Sequence, residues 1–461
     1  MRHYSKLLSA IQSSGPFQSY SLAICFSTVP LLIYFKILTF NQALLLSFGL
    51  LALILYSSLS KRIVILTGFA IMMFVSSFPS RFVGGLDMLP LVSGTLLYLG
   101  LNQNGGESRK PVIGKSNYKW FIVGAIGLAA LALLTSIDNY RNLTFIPWVL
   151  YPIAAVFLSF KFSTSETFSW RHGVLYLAVG SIPFLLFELA GLFRGSFRST
   201  DTFNAGRFLG SLGDYELSAQ IYGISVLACF YILISGTTSF KLRILMLLVG
   251  MSFLFLLGST GTRSAFILTT LGCLVLLSAA GVSKNVKNMI TASAALLLGW
   301  FVVTAGFSTN FEGLFSRLTN LAFDQELSSI INRSGVWSYF QGIESFVNLP
   351  LLGNGFAYPY SEIQVYPHSL YLWLLWSGGV LGLALILMVI VAALLNAFSQ
   401  LKTQRYDAIS AIVFISYLAI DQIKIETARY SSSAWVFWAI LALSYATFSS
   451  SSNAGEARSK R

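Results

Sequence analysis

The chain has 461 residues, 55% of them hydrophobic and only 10% charged, with a formal net charge of +13. A soluble domain carries about 25% charged residues, so this composition excludes a water-soluble globular protein and defines a polytopic membrane protein. Cys25, Cys229 and Cys273 each sit inside an apolar stretch, which excludes a disulfide framework or a cysteine metal cluster.

The weakly basic start, Met1 to Lys6, is followed by no small-residue cleavage site, so the first apolar segment reads as a retained helix. Stretches long enough to span a bilayer fall near 19–38, 41–59, 62–79, 84–101, 119–136, 143–161, 172–193, 214–235, 241–258, 264–281, 288–306, 369–395, 407–424 and 433–450. The expected fold is therefore an all-α integral membrane protein of about 14 (12–14) transmembrane helices. The ninth segment is short and the thirteenth ends in Asp421, Lys424 and Glu426, so one segment could be re-entrant instead. Four regions follow: 1–306, an N-terminal membrane region with a minor outer loop at 194–213; 307–367, a large periplasmic loop carrying short helices; 368–450, the C-terminal helices; and 451–461, a basic tail read as disordered.

Basic residues set the orientation. With the N-terminus inside, 19 of the 30 Lys and Arg fall on the inner side, and the lysines alone divide 11 to 2. Both termini are then cytoplasmic and the 307–367 loop faces outward. The positive charge reports this topology and anionic headgroups, not nucleic acid. Arginines do not follow the lysines: nine lie outside, at Arg81, Arg141, Arg194, Arg198, Arg207, Arg263, Arg317, Arg333 and Arg429. An outer face that avoids lysine but keeps arginine suits planar, bidentate recognition of an oxyanion. Each of them could equally snorkel to the outer headgroups.

Candidate chemistry is sparse. His3 and His172 fall in inner polar flanks and read as solvated surface residues. His368 is the one outer histidine, placed after Pro367 where the loop re-enters the membrane, and it is a candidate general base for a hydroxyl nucleophile. Its alternative is a helix-start histidine satisfied by local backbone. Arg333 and Trp337 are spaced i,i+4 on a helix expected over 325–347, which Trp337, Phe340 and Phe346 could rest on the membrane surface. Arg263 occupies a very short turn between two spans, where a charge is costly unless it is paired or faces a cavity. Arg194, Arg198 and Arg207 belong to the 194–213 loop, and clustered guanidiniums there would suit a lipid diphosphate. Glu188, near the outer end of the seventh span, is a buried acid that could pair with an outer arginine or assist a proton transfer; structural pairing is the expectation. Ser369 reads as a helix cap. With no HExxH, no DxD and no outer cluster of ligand spacing, no metal site is expected.

The order Arg333…Trp337, Pro350-Leu351-Leu352-Gly353-Asn354-Gly355, His368-Ser369-Leu370, Gly379 and Gly382 resembles the O-antigen ligase and polymerase superfamily of bacterial envelope glycan transferases. The pattern there runs arginine, tryptophan, Pro-Leu-Leu-Gly-x-Gly, His-Asn and a glycine pair, and the likeness covers roughly 200–395. Arg207 and Arg263 also look like positions of that superfamily, while Ser369 departs from its usual asparagine. The resemblance implies a transferase of the bacterial inner membrane, without metal or other cofactor, acting on an undecaprenyl-diphosphate-linked glycan at the periplasmic face. It further implies His368 as base and Arg207, Arg263 and Arg333 as diphosphate ligands. Arg194, Arg198, Glu188 and Trp337 would support them. The acceptor would be lipid A–core for a ligase or another lipid-linked repeat unit for a polymerase. A transporter or flippase is the rival from another class, and it predicts ionisable residues or broken helices near mid-membrane.

Overall fold

The computed structural model describes residues 61–74, 81–83, 86–87, 89–102, 116–136, 143–165, 168–194, 208–235, 239–282, 351–357, 368–424, 426–429, 431–446 and 448. In chain order they form α1 (Lys61–Phe74), a ribbon of β1 (Arg81–Val83) and β2 (Leu86–Asp87), α2 (Leu89–Asn102), α3 (Ser116–Leu134), α4 (Ile146–Thr164), α5 (Trp170–Gly180) and α6 (Ile182–Phe193). There follow α7 (Tyr215–Ile234), α8 (Phe240–Ser259), α9 (Arg263–Val282), α10 (Leu370–Ser399), α11 (Arg405–Lys424) and α12 (Ser431–Leu443). Short 3-10 turns stand at Leu143–Phe145 and Thr427–Arg429.

Eleven of the fourteen expected spans coincide with these helices; 19–38, 41–59 and 288–306 lie outside the described residues. Among the described residues eight helical spans are long and apolar enough to cross a membrane, α5 and α6 counting as one of 24 residues. The ninth and thirteenth segments, the weakest in the sequence, are full 20-residue helices. One correction concerns 84–101. Its first residues belong to the antiparallel ribbon, with Arg81 opposite Asp87 and Val83 opposite Leu86, and α2 starts only at Leu89. Gly84-Gly85 between the strands is a composition that favours tight hairpin connections over helix.

Helix α7 is the centre of the bundle: from Leu217 to Ile234 every residue is buried. A helix apolar on all sides finds partners on all sides, and α7 packs on α5, α8, α9 and α11. Around it α3 pairs with α10, α10 with α11, and α4 with α12. The peripheral helices turn large apolar side chains outward, Phe240, Ile244 and Leu248 on α8 and Trp120, Val123 and Ile126 on α3. These faces need no water-exclusion partner when the solvent is lipid. Between α5 and α6 the chain is interrupted at Ser181. Pro183, in the first turn of α6, lacks the N–H that would continue the α5 ladder.

Hydrogen bonds and an ion pair between helices fix which helix ends lie together. Tyr371, in the first turn of α10, donates to Ala419 O near the end of α11 at 2.7 Å. Lys424 at the end of α11 pairs with Glu216 at the start of α7 at 2.9 Å. Tyr215 O accepts from Thr262, just before α9, at 3.4 Å. The starts of α7, α9 and α10 and the end of α11 therefore share one end of the bundle. The opposite end is tied by Trp170 to Ser410 at 3.2 Å and Arg171 to Ser235 O at 3.0 Å.

Candidate functional site

The shared end is built around the start of α7. Asp214 caps that helix, its Oδ1 accepting from the N–H of Glu216 at 2.7 Å and of Leu217 at 3.0 Å. Burial pushes the Asp214 carboxyl above its ordinary value, against the pull of the Leu217 N–H. Ahead of it, residues 208–213 fold down onto the helices. Phe208 N–H donates to Ser259 O at 3.1 Å, Ser218 Oγ donates to Leu209 O at 2.6 Å, and Gly213 N–H closes on Gly210 O at 3.1 Å.

Glu188 anchors this segment. Fully buried on α6, it accepts from the Ser211 N–H at 3.1 and 3.2 Å and from the Ser211 hydroxyl. The buried Tyr222 hydroxyl faces the same carboxyl. A serine of the 208–213 segment thus bonds to both carboxyl oxygens through its N–H and to one of them through its hydroxyl; Arg198 and Arg207, candidate arginine partners of Glu188, lie outside the described residues. Arg194, six residues on, is the exposed C-cap of α6.

Arg263 opens α9 and is half-buried, following the turn Thr260–Thr262 in which the Thr262 N–H donates to Thr260 Oγ1 at 3.2 Å. A cation in a helix's first turn works against the macrodipole, so helix stability does not account for it. The same turn receives the Phe208 N–H through Ser259, so the stretch that follows Arg207 in the chain meets the stretch that precedes Arg263. Arg207, Arg198, Arg333 and Trp337 themselves lie outside the described residues, as do the expected 325–347 helix and the 451–461 tail.

His368 is half-buried and directly precedes α10. Its φ of 49° makes it the one non-glycine residue with positive φ among the described residues. Left-handed backbone is uncommon outside glycine and clusters where surrounding structure over-determines it, often at functional positions. Ser369 occupies the N-cap position with extended φ/ψ, but its side chain makes no cap hydrogen bond. Ser369 is thus the expected helix cap, serving through its carbonyl, which accepts from the Trp373 N–H at 2.9 Å.

Two features escaped the sequence reading. The first is the role of Leu351 to Ala357, which the glycine motif hid in plain view. Helix α10 is broken at Gly379 (φ 64°, ψ −164°), and the motif docks on the break. Asn354 N–H donates to Trp376 O at 2.9 Å, Gly355 N–H to Ser377 O at 2.8 Å, and Leu381 N–H to Leu351 O at 3.2 Å. Asn354 Nδ2 adds a second bond to Trp376 O at 3.1 Å. Phe356 seals the junction, its ring centroid 5.6 Å from that of Trp148 and 5.4 Å from that of Trp373. The second feature is a polar ladder between α7 and α11. Lys424 meets Glu216, Asp421 accepts from Gln220 Nε2 at 3.0 Å, and Tyr417 donates toward Gln220 O at 3.4 Å. Its signal was the helical spacing of Tyr417, Asp421 and Lys424 opposite Glu216 and Gln220. The ladder explains why the charged end of the thirteenth segment is still helix.

His172, expected in a solvated flank, sits in the first turn of α5 with its Nδ1 2.8 Å from Ser169 Oγ. Cys229 and Cys273 are buried free thiols. Among the described residues no group of three or more His, Cys, Asp or Glu side chains is arranged to hold a metal ion.

These observations define a multi-pass α-helical membrane protein with a polar, partly irregular cap at one end of its bundle. No protein-family model matches the chain, and comparison with curated proteins gives no match.

Proposed function

We propose that this protein transfers a glycan from undecaprenyl diphosphate to an acceptor hydroxyl at the outer face of a bacterial inner membrane, acting as an O-antigen ligase on lipid A–core. His368 takes the proton of the acceptor hydroxyl, whose oxygen attacks the anomeric carbon. The bond from that carbon to the diphosphate breaks, undecaprenyl diphosphate leaves with the electron pair, and the anomeric centre inverts. Arg207, Arg263 and Arg333 hold the diphosphate and offset the charge that develops on it.

The observation that carries this reading is the union of two sequence motifs in one structural unit. The Leu351–Gly355 stretch is stapled to the Gly378–Gly379 break of the helix whose N-cap, Ser369, follows His368, and His368 holds a strained backbone. Two further features support it. Arg263 opens α9 at the bundle end shared with α10, where an anion gains from both the guanidinium and the helix N-terminus. Lys119, Lys161, Lys241 and Lys402 belong to the opposite end, the arrangement of a cytoplasmic side, whereas Lys424 at the His368 end is paired with Glu216.

The test is the pool of lipid-linked glycans in cells lacking the protein, beside cells carrying His368→Ala. Accumulation of long lipid-linked chains in both is the expected result. Single repeat units accumulating in both would redirect the proposal to a repeat-unit polymerase with the same chemistry. A deletion defect without a His368→Ala defect removes His368 as base. Unchanged glycans in both overturn the proposal and favour transport.

A further inference from the structure

We propose that Leu351–Ala357 is a clamp that fixes the direction of the first segment of α10 and so the place of His368, with Gly353 and Asn354 as positioning residues; this rests on His368 being the base. The break at Gly379 divides α10 into a short segment, 370–378, and a long one, 380–399. An unbroken helix would join Ser377 O to the Leu381 N–H and Trp376 O to the N–H of Val380. In a membrane those groups must find other partners. The clamp provides them for three of the four: Trp376 O and Ser377 O accept from Asn354 and Gly355, and Leu381 N–H donates to Leu351 O. One loop thereby bonds to both sides of the break and holds the angle between the two segments.

The fit leaves no room for a side chain. A Cβ on Gly353, whose φ is +67°, would stand 2.4 Å from Gly379 N and 2.6 Å from Ser377 O. The clamp is also fastened to the neighbouring helices. Thr144, before α4, donates to Phe356 O at 3.1 Å, and a Cβ on Gly355 would stand 2.4 Å from Thr135 O, just after α3. Phe356 lies against Gly378 and packs with Trp148 of α4 and Trp373 of the short segment. The frame of the clamp is therefore α3 and α4, and the part it steers is 370–378.

The lever is long enough to matter. Nine helical residues extend about 13 Å, so a 10° change at the break moves their N-terminal end by about 2 Å. A misplacement of about 1 Å in a reacting group costs on the order of 100-fold in rate. Loosening the clamp should disable His368 while leaving Arg263, which opens α9, able to hold the diphosphate.

The experiment uses the full chain in lipid nanodiscs and in cells, comparing wild type, Gly353→Ala, Asn354→Ala and His368→Ala. Nitroxides at Leu372→Cys and Leu395→Cys report the distance across the break, with Cys25, Cys229 and Cys273 replaced by alanine. Undecaprenyl diphosphate is the binding probe, and transfer is read from the lipid-linked glycan pool. For Gly353→Ala the distance distribution shifts or broadens by about 2 Å, transfer falls at least ~10-fold, and probe affinity stays within about 2-fold. Should Gly353→Ala fail to insert, Asn354→Ala carries the test, since it removes only the Nδ2 bond; a smaller shift and a fall of about 3-fold are expected. An unchanged distance with lost transfer overturns the proposal, as does a shifted distance with full transfer. Full transfer by His368→Ala removes the base assignment and with it the positioning role.

Discussion

Replacing Phe356 by alanine probes what holds the clamp down. The ring is 2% exposed, faces Trp148 and Trp373, and touches Gly378. Removing a phenyl ring from such a site costs about 3–5 kcal/mol in lost contacts and residual cavity. Against it stand five clamp hydrogen bonds, three of backbone from Asn354, Gly355 and Leu381 and two with side chains, from Asn354 Nδ2 and Thr144, each of net worth about 1 kcal/mol. The ring is thus of the same size as the rest of the attachment combined, and its loss should let the clamp open locally without unfolding α7. Hydrogen exchange followed by mass spectrometry reads this at peptides covering 351–357 and 376–382. A loss of about 3 kcal/mol corresponds to roughly 100-fold faster exchange at those three amides, and Phe356→Leu, losing about 1 kcal/mol, to roughly 5-fold. Exchange in α7 should be unchanged. An acceleration below about 5-fold in Phe356→Ala would refute the reasoning, since the hydrogen bonds would then hold without the ring.

Two further outcomes concern the start of α7. Ser211→Ala removes the hydroxyl that Glu188 accepts and should lower resistance to unfolding in detergent by about 1–3 kcal/mol; in a Glu188→Leu background the same change should have little effect, and equal losses in both backgrounds would break the link. Asp214→Ala should cost about 1 kcal/mol through loss of the cap, whereas Asp214→Asn retains it. Because burial raises the Asp214 carboxyl, the folded chain holds that proton more tightly than the unfolded one, so the stability penalty is absent at low pH and grows as pH rises past the ordinary carboxylate range. Asp214→Asn should therefore gain on wild type in thermal stability as the pH rises past about 4, and a difference that stays constant with pH would contradict it.

Much of the architecture was legible because apolar length is a local property. The segments near 215–234 and 240–259 announce helices by composition alone, and they are helices. Boundaries were less legible where backbone chemistry intervened, as at 84–101, whose first residues pair as a ribbon. Candidate site residues divided in the same way. Glu188 could be marked as a buried acid from its place in a span, but its partner Ser211 depends on how the 208–213 segment folds back. Arg263 and His368 could be marked by residue type and position. The charge count also set both on one side of the membrane, but which helix ends meet there came from contacts as remote as Tyr371 with Ala419 and Thr262 with Tyr215.

The sequence by itself determined that this is a multi-pass helical membrane protein, since a long apolar segment in lipid must satisfy its own backbone and can do so only as helix. It also singled out Gly353, Gly355 and Gly379, through the order of motifs that resembles the O-antigen ligase and polymerase superfamily. Only the tertiary structure decided what those glycines do. Gly379 opens a helix whose freed groups need partners, and a loop more than twenty residues earlier in the chain provides them. Pairing between separated segments depends on which backbones come within hydrogen-bonding reach, and no local pattern in either segment specifies that.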